Sequence, residues 1–192
     1  MKQYLNIIAL QNVGNTCYFN CALQCLLVCK EFIDEINKYN NRGPIDLLYI
    51  FNSLCNKYKD PSIPITNPHL IKQILGNSHS FFKDHYQQDC HECLVTILDI
   101  LHEHTKNNTI NKQQNYQIIN NDKKLTNLSN KHWKTTIKNG GSSFITDYFT
   151  GQLKSSLICK HCNTERNNFE SLNNISLSLP SNLHNNNTID IV

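Results

Sequence analysis

The sequence has 192 residues, and 18 Lys and Arg against 15 Asp and Glu give it a formal charge of +3. That length suits one domain with its own core, and the scattered basic residues exclude the basic patch of a nucleic-acid-binding protein. No apolar run approaches the roughly 20 residues that a membrane-spanning helix needs, so we expect neither nucleic acid nor a membrane as a partner.

Four helices are predicted in the front half of the chain, each from apolar residues at helical spacing. The first begins at Cys17, directly after the turn-forming Gly14-Asn15-Thr16. The strongest begins at Asp89, whose carboxylate suits a helix N-terminus. The predicted bounds are Cys17–Leu27, Ile45–Tyr58, Pro68–Leu75 and Asp89–His104.

The rear half of the chain has a different pattern. Thr105–Gly141 is rich in Asn, Lys and Gln and poor in periodic apolar residues, which indicates a long loop or insertion, although Trp133 can still dock on a core. Alternation then predicts strands over Phe144–Cys159 and Phe169–Leu179, before an Asn-rich tail. Helices in front and strands behind favour an α+β fold in which the helix that carries Cys17 packs on a sheet.

The cysteines number nine, and no secretory signal precedes them, so we interpret them as reduced thiols of a cytoplasmic or nuclear protein. Cys17 differs from the others because a helix N-terminus stabilises the thiolate, which is the nucleophilic form of a cysteine. Asn12, five residues upstream, has a side-chain amide that can donate to a developing oxyanion. The alternative interpretation is a buried structural cysteine beneath a loop asparagine.

The segment LQNVGNTCYFNCALQCL, from Leu10 to Leu26, resembles the cysteine box of the ubiquitin-specific proteases, a family of papain-like thiol hydrolases. The resemblance implies that Cys17 is the nucleophile and that Asn12 is the oxyanion-hole side chain. The implied reaction is hydrolysis after the C-terminal glycine of ubiquitin, through a thioester on Cys17. Ubiquitin or a ubiquitinated protein is therefore the expected partner.

A second segment, QQDCHECL from Gln87 to Leu94, is similar to a family helix whose aspartate helps to hold the ubiquitin tail. The resemblance implies that role for Asp89, together with the neighbouring Gln88. Asp89 can also be an ordinary helix cap, and the two roles are compatible.

A third segment contains Cys159 and Cys162 at the C-x-x-C spacing of a zinc knuckle. From Phe149 to Pro180 the chain resembles the family's entry into its fingers, the knuckle and the return strand. A structural zinc site needs four ligands, and the family's second cysteine pair comes later. We therefore expect half a zinc site, which holds zinc only if a second pair is supplied; the alternative is a reduced pair at a hairpin tip. Catalysis is expected to need no cofactor.

The resemblance implies an incomplete papain-like domain over the whole chain. Its expected parts are a helical thumb-like part over 8–104, a polar insertion over 105–142, the start of a palm and fingers sheet over 143–180, and a tail over 181–192.

The catalytic base has no candidate in this sequence. The family's histidine lies downstream in a Gly-His-Tyr context, followed by Asp or Asn, and none of the nine histidines here has that context. We therefore expect a truncated copy of a deubiquitinase, and leave open whether this chain alone is an enzyme. The alternatives are a complementing C-terminal half on another polypeptide, an inactive ubiquitin-binding module, and, outside the family, a small zinc or scaffold protein.

Overall fold

The structure is a computed structural model that describes residues 8–39, 46–58, 60, 62–107 and 123–177. Within these ranges the helices and strands have the following bounds: β1 Ala9–Leu10, α1 Cys17–Leu27, α2 Lys30–Ile36, α3 Leu47–Tyr58, β2 Ile65–Thr66, α4 His69–Ser78, α5 Cys90–Thr105, α6 Lys123–Gly140, α7 Phe144–Phe149, β3 Gly151–Ile158 and β4 Glu165–Leu172. The chain forms two compact units, one of Met1–Gln117 with Lys134–Phe149 and one of Ile118–Trp133 with Thr150–Val192.

The first unit is a helical assembly in which α1 packs on α5. Helix α1 directs its apolar residues inward at the spacing that the sequence predicts, and Phe19, Leu23 and Leu27 are completely buried. Phe32 of α2 lies at the centre of an aromatic cluster, with its ring centroid 5.8 Å from that of Phe51. Burial of such side chains supplies most of the stability of this unit.

The lead-in to α1 is fixed by a short parallel pairing of β1 with β2. Gln11 extends this pairing, since its N–H donates to the carbonyl of Thr66 at 2.9 Å. Asn20 of α1 donates its side-chain amide to the carbonyls of Leu10 and Gln11, both at 3.2 Å. The loop that precedes Cys17 is therefore anchored on both sides.

The prediction of a loop over Thr105–Gly141 is wrong for Lys123–Gly140, which forms α6. Leu125, Ser129, Trp133 and Ile137 follow one another at intervals of four residues, and the last three are buried. Only part of that stripe is apolar, which is why apolar periodicity did not reveal the helix. Trp133 is buried but does not belong to the main apolar core, so its docking on that core stays a prediction. Residues 108–122 lie outside the described ranges.

The prediction of a strand from Phe144 is wrong for the first six residues, which form α7. Reciprocal caps begin this helix: the N–H groups of Ile145 and Thr146 donate to Ser143 Oγ, and the Ser143 N–H donates to Thr146 Oγ1 at 2.9 Å. Side-chain caps of this kind favour a helix start over an extended strand. His102 of α5 also contacts Ser143, with Nδ1 2.7 Å from the hydroxyl oxygen.

The second unit contains an antiparallel hairpin, in which Gly151 of β3 pairs with Leu172 of β4. Strand β4 begins at Glu165 and ends at Leu172, whereas the sequence predicts a strand over Phe169–Leu179; residues from 178 onward lie outside the described ranges. Over the part of the chain that the structure describes, seven α-helices and two small sheets confirm the α+β class and agree with part of a papain-like fold. None of the described helices has the length and apolar character that crossing a membrane requires.

Candidate active site

The loop before α1 is closed by the side chain of Asn12. Its Oδ1 accepts hydrogen bonds from the Gly14 N–H at 3.0 Å, the Thr16 N–H at 3.2 Å and the Thr16 hydroxyl at 3.1 Å. Thr16 is fully buried, and its Oγ1 also accepts from the Val13 N–H at 3.0 Å. Because Oδ1 is engaged in this way, Nδ2 is the amide atom that remains, and it donates to no partner among the described residues.

Cys17 is the first residue of α1, and its side chain is exposed. The N–H groups of a first helical turn have no partner within the helix, and the helix dipole favours negative charge there. The two residues at the bend before it have positive φ, 104° for Gly14 and 47° for Asn15. The bend allows the chain to enter the helix with the Cys17 thiol at the surface.

A second loop, residues 79–88, lies against the first. The Asn15 side-chain amide donates to the His85 carbonyl at 2.9 Å. A Cβ atom on Gly14 would lie 2.8 Å from His85 Nδ1, so only glycine fits beneath this imidazole without a shift. The two loops therefore meet closely beside Cys17.

Gln87 is the side chain that contacts the Cys17 sulfur. Its Oε1 lies 3.3 Å and its Nε2 3.2 Å from Cys17 Sγ. Sequence reasoning assigned no role to Gln87, although the residue belongs to the QQDCHECL segment. Its position two residues before the cap of α5 gave no signal, because the contact depends on how two loops 70 residues apart meet.

Side-chain donors bind several carbonyls of the second loop. Lys72 of α4 is buried, and its ammonium group donates to the Phe82 carbonyl and to that of Asp84 at 3.3 Å. Burial lowers the pKa of Lys72 from its ordinary value, against a smaller opposing effect of Cys93. Gln88 donates its amide to the Phe81 carbonyl at 2.9 Å, which gives this predicted tail-binding residue a structural contact within the loop.

Asp89 is the N-cap of α5. Its Oδ1 accepts from the Glu92 N–H at 2.9 Å, so the helix-cap alternative from the sequence is observed. The other carboxylate oxygen, Oδ2, accepts no hydrogen bond from any described residue, and the residue is exposed. The geometry therefore leaves Asp89 able to contact a peptide as well as cap the helix.

Four other cysteines of this unit are less accessible than Cys17, which is exposed: Cys29 and Cys90 are half-buried, and Cys55 and Cys93 are buried. Burial raises the pKa of the Cys93 thiol to about 12 and, with a contribution from the Cys21 thiol, that of Cys90 to about 11. A buried neutral thiol is a poor nucleophile, whereas Cys17 is exposed at a helix N-terminus.

Cys159 and Cys162 lie at the tip of the β3–β4 hairpin, and both are exposed. The tip is closed by the Cys159 N–H, which donates to the Thr164 carbonyl at 3.0 Å. Hydrogen bonds from Thr164, with a smaller contribution from Cys159, lower the pKa of Cys162 to about 7. Zinc in a structural site takes four ligands, and the described residues contain no group of three or more that can hold a metal. The half zinc site expected from the sequence stays a prediction.

Comparisons with known proteins agree with the family resemblance of the sequence. A family model described as ubiquitin carboxyl-terminal hydrolase matches residues 8–184. Ubiquitin carboxyl-terminal hydrolase 12 of Saccharomyces cerevisiae is 31% identical over 194 residues, covering 89% of this chain and 15% of the yeast protein. Usp2 of Drosophila melanogaster is 29% identical over 184 residues, covering 91% of this chain and 19% of the fly protein.

A plant relative gives the same result. Ubiquitin carboxyl-terminal hydrolase 5 of Arabidopsis thaliana is 31% identical over 189 residues, covering 92% of this chain and 20% of the plant protein. The chain thus spans about one fifth or less of the length of these three relatives. Since the family model covers nearly the whole sequence, the chain belongs to the ubiquitin carboxyl-terminal hydrolase family.

Proposed function

We propose that this chain provides the nucleophile and the oxyanion donor of a thiol hydrolase that cleaves after the C-terminal glycine of ubiquitin. The observation that carries the proposal is the exposed thiol of Cys17 at the first residue of α1, five residues after Asn12. Among the described residues, the Asn12 side chain makes its hydrogen bonds through Oδ1. This arrangement leaves an N–H donor for the oxygen that becomes negative during acyl transfer.

In the proposed reaction, the Cys17 thiolate attacks the carbonyl carbon of the terminal glycine. The carbonyl oxygen becomes an oxyanion and accepts a hydrogen bond from Asn12 Nδ2. The C–N bond then breaks, the amine leaves with a proton, and a thioester remains on Cys17. Water hydrolyses the thioester and restores the thiol.

The extended ubiquitin tail approaches Cys17 past the start of α5 in this proposal. Asp89 Oδ2 accepts a backbone N–H of the tail, while Oδ1 keeps its bond to Glu92. Gln88 holds the adjacent loop through the Phe81 carbonyl. The proposed general base is the family's histidine in its Gly-His-Tyr context, a motif that this sequence does not contain. Among the described residues, Gln87 and no histidine hydrogen-bonds Cys17.

The test is covalent labelling by ubiquitin with an electrophile at its C-terminus. We expect one adduct per chain, carried by Cys17 and lost in Cys17→Ser. Cys21→Ser is the matched control, because Cys21 is an exposed cysteine one turn along the same helix. It should label as the parent chain does.

The outcomes separate the alternatives. Labelling that persists in Cys17→Ser would contradict the assignment of the nucleophile. A folded chain that binds ubiquitin but resists labelling would favour an inactive ubiquitin-binding module. Cleavage of a ubiquitin conjugate by the chain alone would contradict a base outside the sequence.

A further inference from the structure

The carboxamide of Gln87 presents both of its heteroatoms to the Cys17 sulfur. Oε1 lies 3.3 Å from Sγ and Nε2 lies 3.2 Å from it. A thiol can donate its S–H to Oε1, whereas a thiolate has no proton and accepts from the Nε2–H instead. The same amide, in one position, can therefore hydrogen-bond the sulfur in both protonation states. An amide with its O and N atoms exchanged would make the same two contacts.

The loop that carries Gln87 is held from two directions. On one side, Asn15 of the nucleophile loop donates to the carbonyl of His85, two residues before Gln87. On the other side, the buried Lys72 donates to the carbonyls of Phe82 and Asp84. The long Gln87 side chain thus starts from an anchored backbone, which lowers the entropy cost of keeping its amide on the sulfur.

We propose that Gln87 is a positioning residue that holds the Cys17 sulfur and stabilises its thiolate before substrate arrives. When the S–H bond breaks, the proton leaves to the base or to solvent, and the sulfur gains the Nε2–H hydrogen bond. In this proposal Gln87 hydrogen-bonds the Cys17 sulfur, and Asn12 hydrogen-bonds the oxyanion of the substrate. The benefit to catalysis rests on the proposed function, but the effect on the thiol does not.

Alkylation of Cys17 by iodoacetamide tests the proposal without ubiquitin. Chymotryptic cleavage after Leu10 and Tyr18 yields a peptide in which Cys17 is the single cysteine, so mass spectrometry reads its rate directly. Gln87→Glu keeps Oε1, removes the N–H donor and adds a negative charge. Since hydrogen bonds to charged groups are among the stronger ones, we expect it to slow alkylation by about tenfold at one mildly alkaline pH. Gln87→Met, similar in length and uncharged, should slow it by about threefold.

A second readout detects the thiolate itself. The difference in ultraviolet absorbance between the parent chain and Cys17→Ser reports the thiolate, and it should shrink in the Gln87→Glu background. Loss of loop structure alone would expose the thiol without removing this signal. Gln73→Glu makes the same change on an exposed residue of α4 and should match the parent in both measurements.

Parent-like alkylation and absorbance in folded Gln87→Glu would overturn the proposal. Because no step uses ubiquitin, that result would leave the proposed hydrolase function untouched. The converse result is that the Gln87 variants change alkylation and absorbance as expected while the parent chain never reacts with the ubiquitin probe. That result would refute the hydrolase function and leave the Gln87 proposal standing.

Discussion

The two amide atoms of Asn12 have different proposed roles: Oδ1 closes the loop, and Nδ2 donates to the oxyanion. Two substitutions can separate these roles. Asn12→Asp keeps the Oδ1 acceptor that closes the loop through Gly14 and Thr16, but it removes the Nδ2 donor. We expect little change in melting temperature and a rate of reaction with ubiquitin aldehyde that falls about 100-fold, the usual loss of one oxyanion donor. Asn12→Ala should lower both.

Iodoacetamide alkylation of Cys17 is the control for this pair of variants, because it forms no oxyanion. If Asn12→Asp slowed alkylation as much as it slowed the aldehyde reaction, its effect would belong to the thiol and the oxyanion role would be wrong.

Gly14 is the residue at which a single methyl group should matter most. Its φ of 104° is costly for other residues, and an added Cβ would lie 2.8 Å from His85 Nδ1. Gly14→Ala should lower the free energy of unfolding by about 1–3 kcal/mol. Urea denaturation measures this, with Gly140→Ala as the control, because a Cβ there meets no atom within 4 Å. Equal stabilities of the two variants would argue against the close approach of the loops.

At the scale of elements, the packing of α1 on α5 makes the stability of the fold depend on pH in the alkaline range. Burial raises the pKa of Cys93 to about 12 and of Tyr18 to about 12, above ordinary values of 9.0 and 10.0. These groups stay neutral in the fold but ionise in the unfolded chain, so stability is full below pH 9 and falls as the pH rises toward 12. Lys72, whose pKa is lowered, opposes part of this fall.

Urea midpoints measured in reducing buffer, below and above pH 9, check this dependence. Cys93→Ala should lower stability at neutral pH by about 1–2 kcal/mol through the cavity that it leaves, and it should flatten the alkaline decline. An equally steep decline in Cys93→Ala would assign the effect to other groups.

Apolar spacing predicted α1, α3 and α5 because each of these helices has one wide apolar face against the core. It failed for α6, whose buried face includes Ser129 beside Trp133 and Ile137. It failed again at α7, where the caps of Ser143 and Thr146 override an alternating pattern. Helix α2 was missed because it has only seven residues.

The residues of the candidate site also fall into two groups, those that the sequence predicts and those that it does not. A local motif is enough to indicate Cys17 and Asn12, since both lie in one short segment. The contact of Gln87 with Cys17 joins loops that only tertiary packing brings together, so no local pattern contains it. The roles proposed for Asn12, Gln88 and Asp89 stay predictions until the variants are measured.

At the scale of the whole molecule, the two units should differ in local stability. Every residue of β3 and β4 is exposed or half-buried, and an isolated two-stranded hairpin is marginally stable in water. We expect its amides to exchange with deuterium much faster than those of α1 and α5, by about 100-fold or more. Hydrogen-exchange mass spectrometry measures this, and hairpin amides as slow as those of α5 would contradict it.

The buried ammonium of Lys72 has a practical consequence, because acylation of a lysine requires a free, accessible amine. Lys30 is exposed and should react at once with an amine-reactive ester, whereas Lys72 can react only when the loop that carries Gln87 lifts away. The acylation rate of Lys72 therefore measures how often this loop opens in the intact, folded chain.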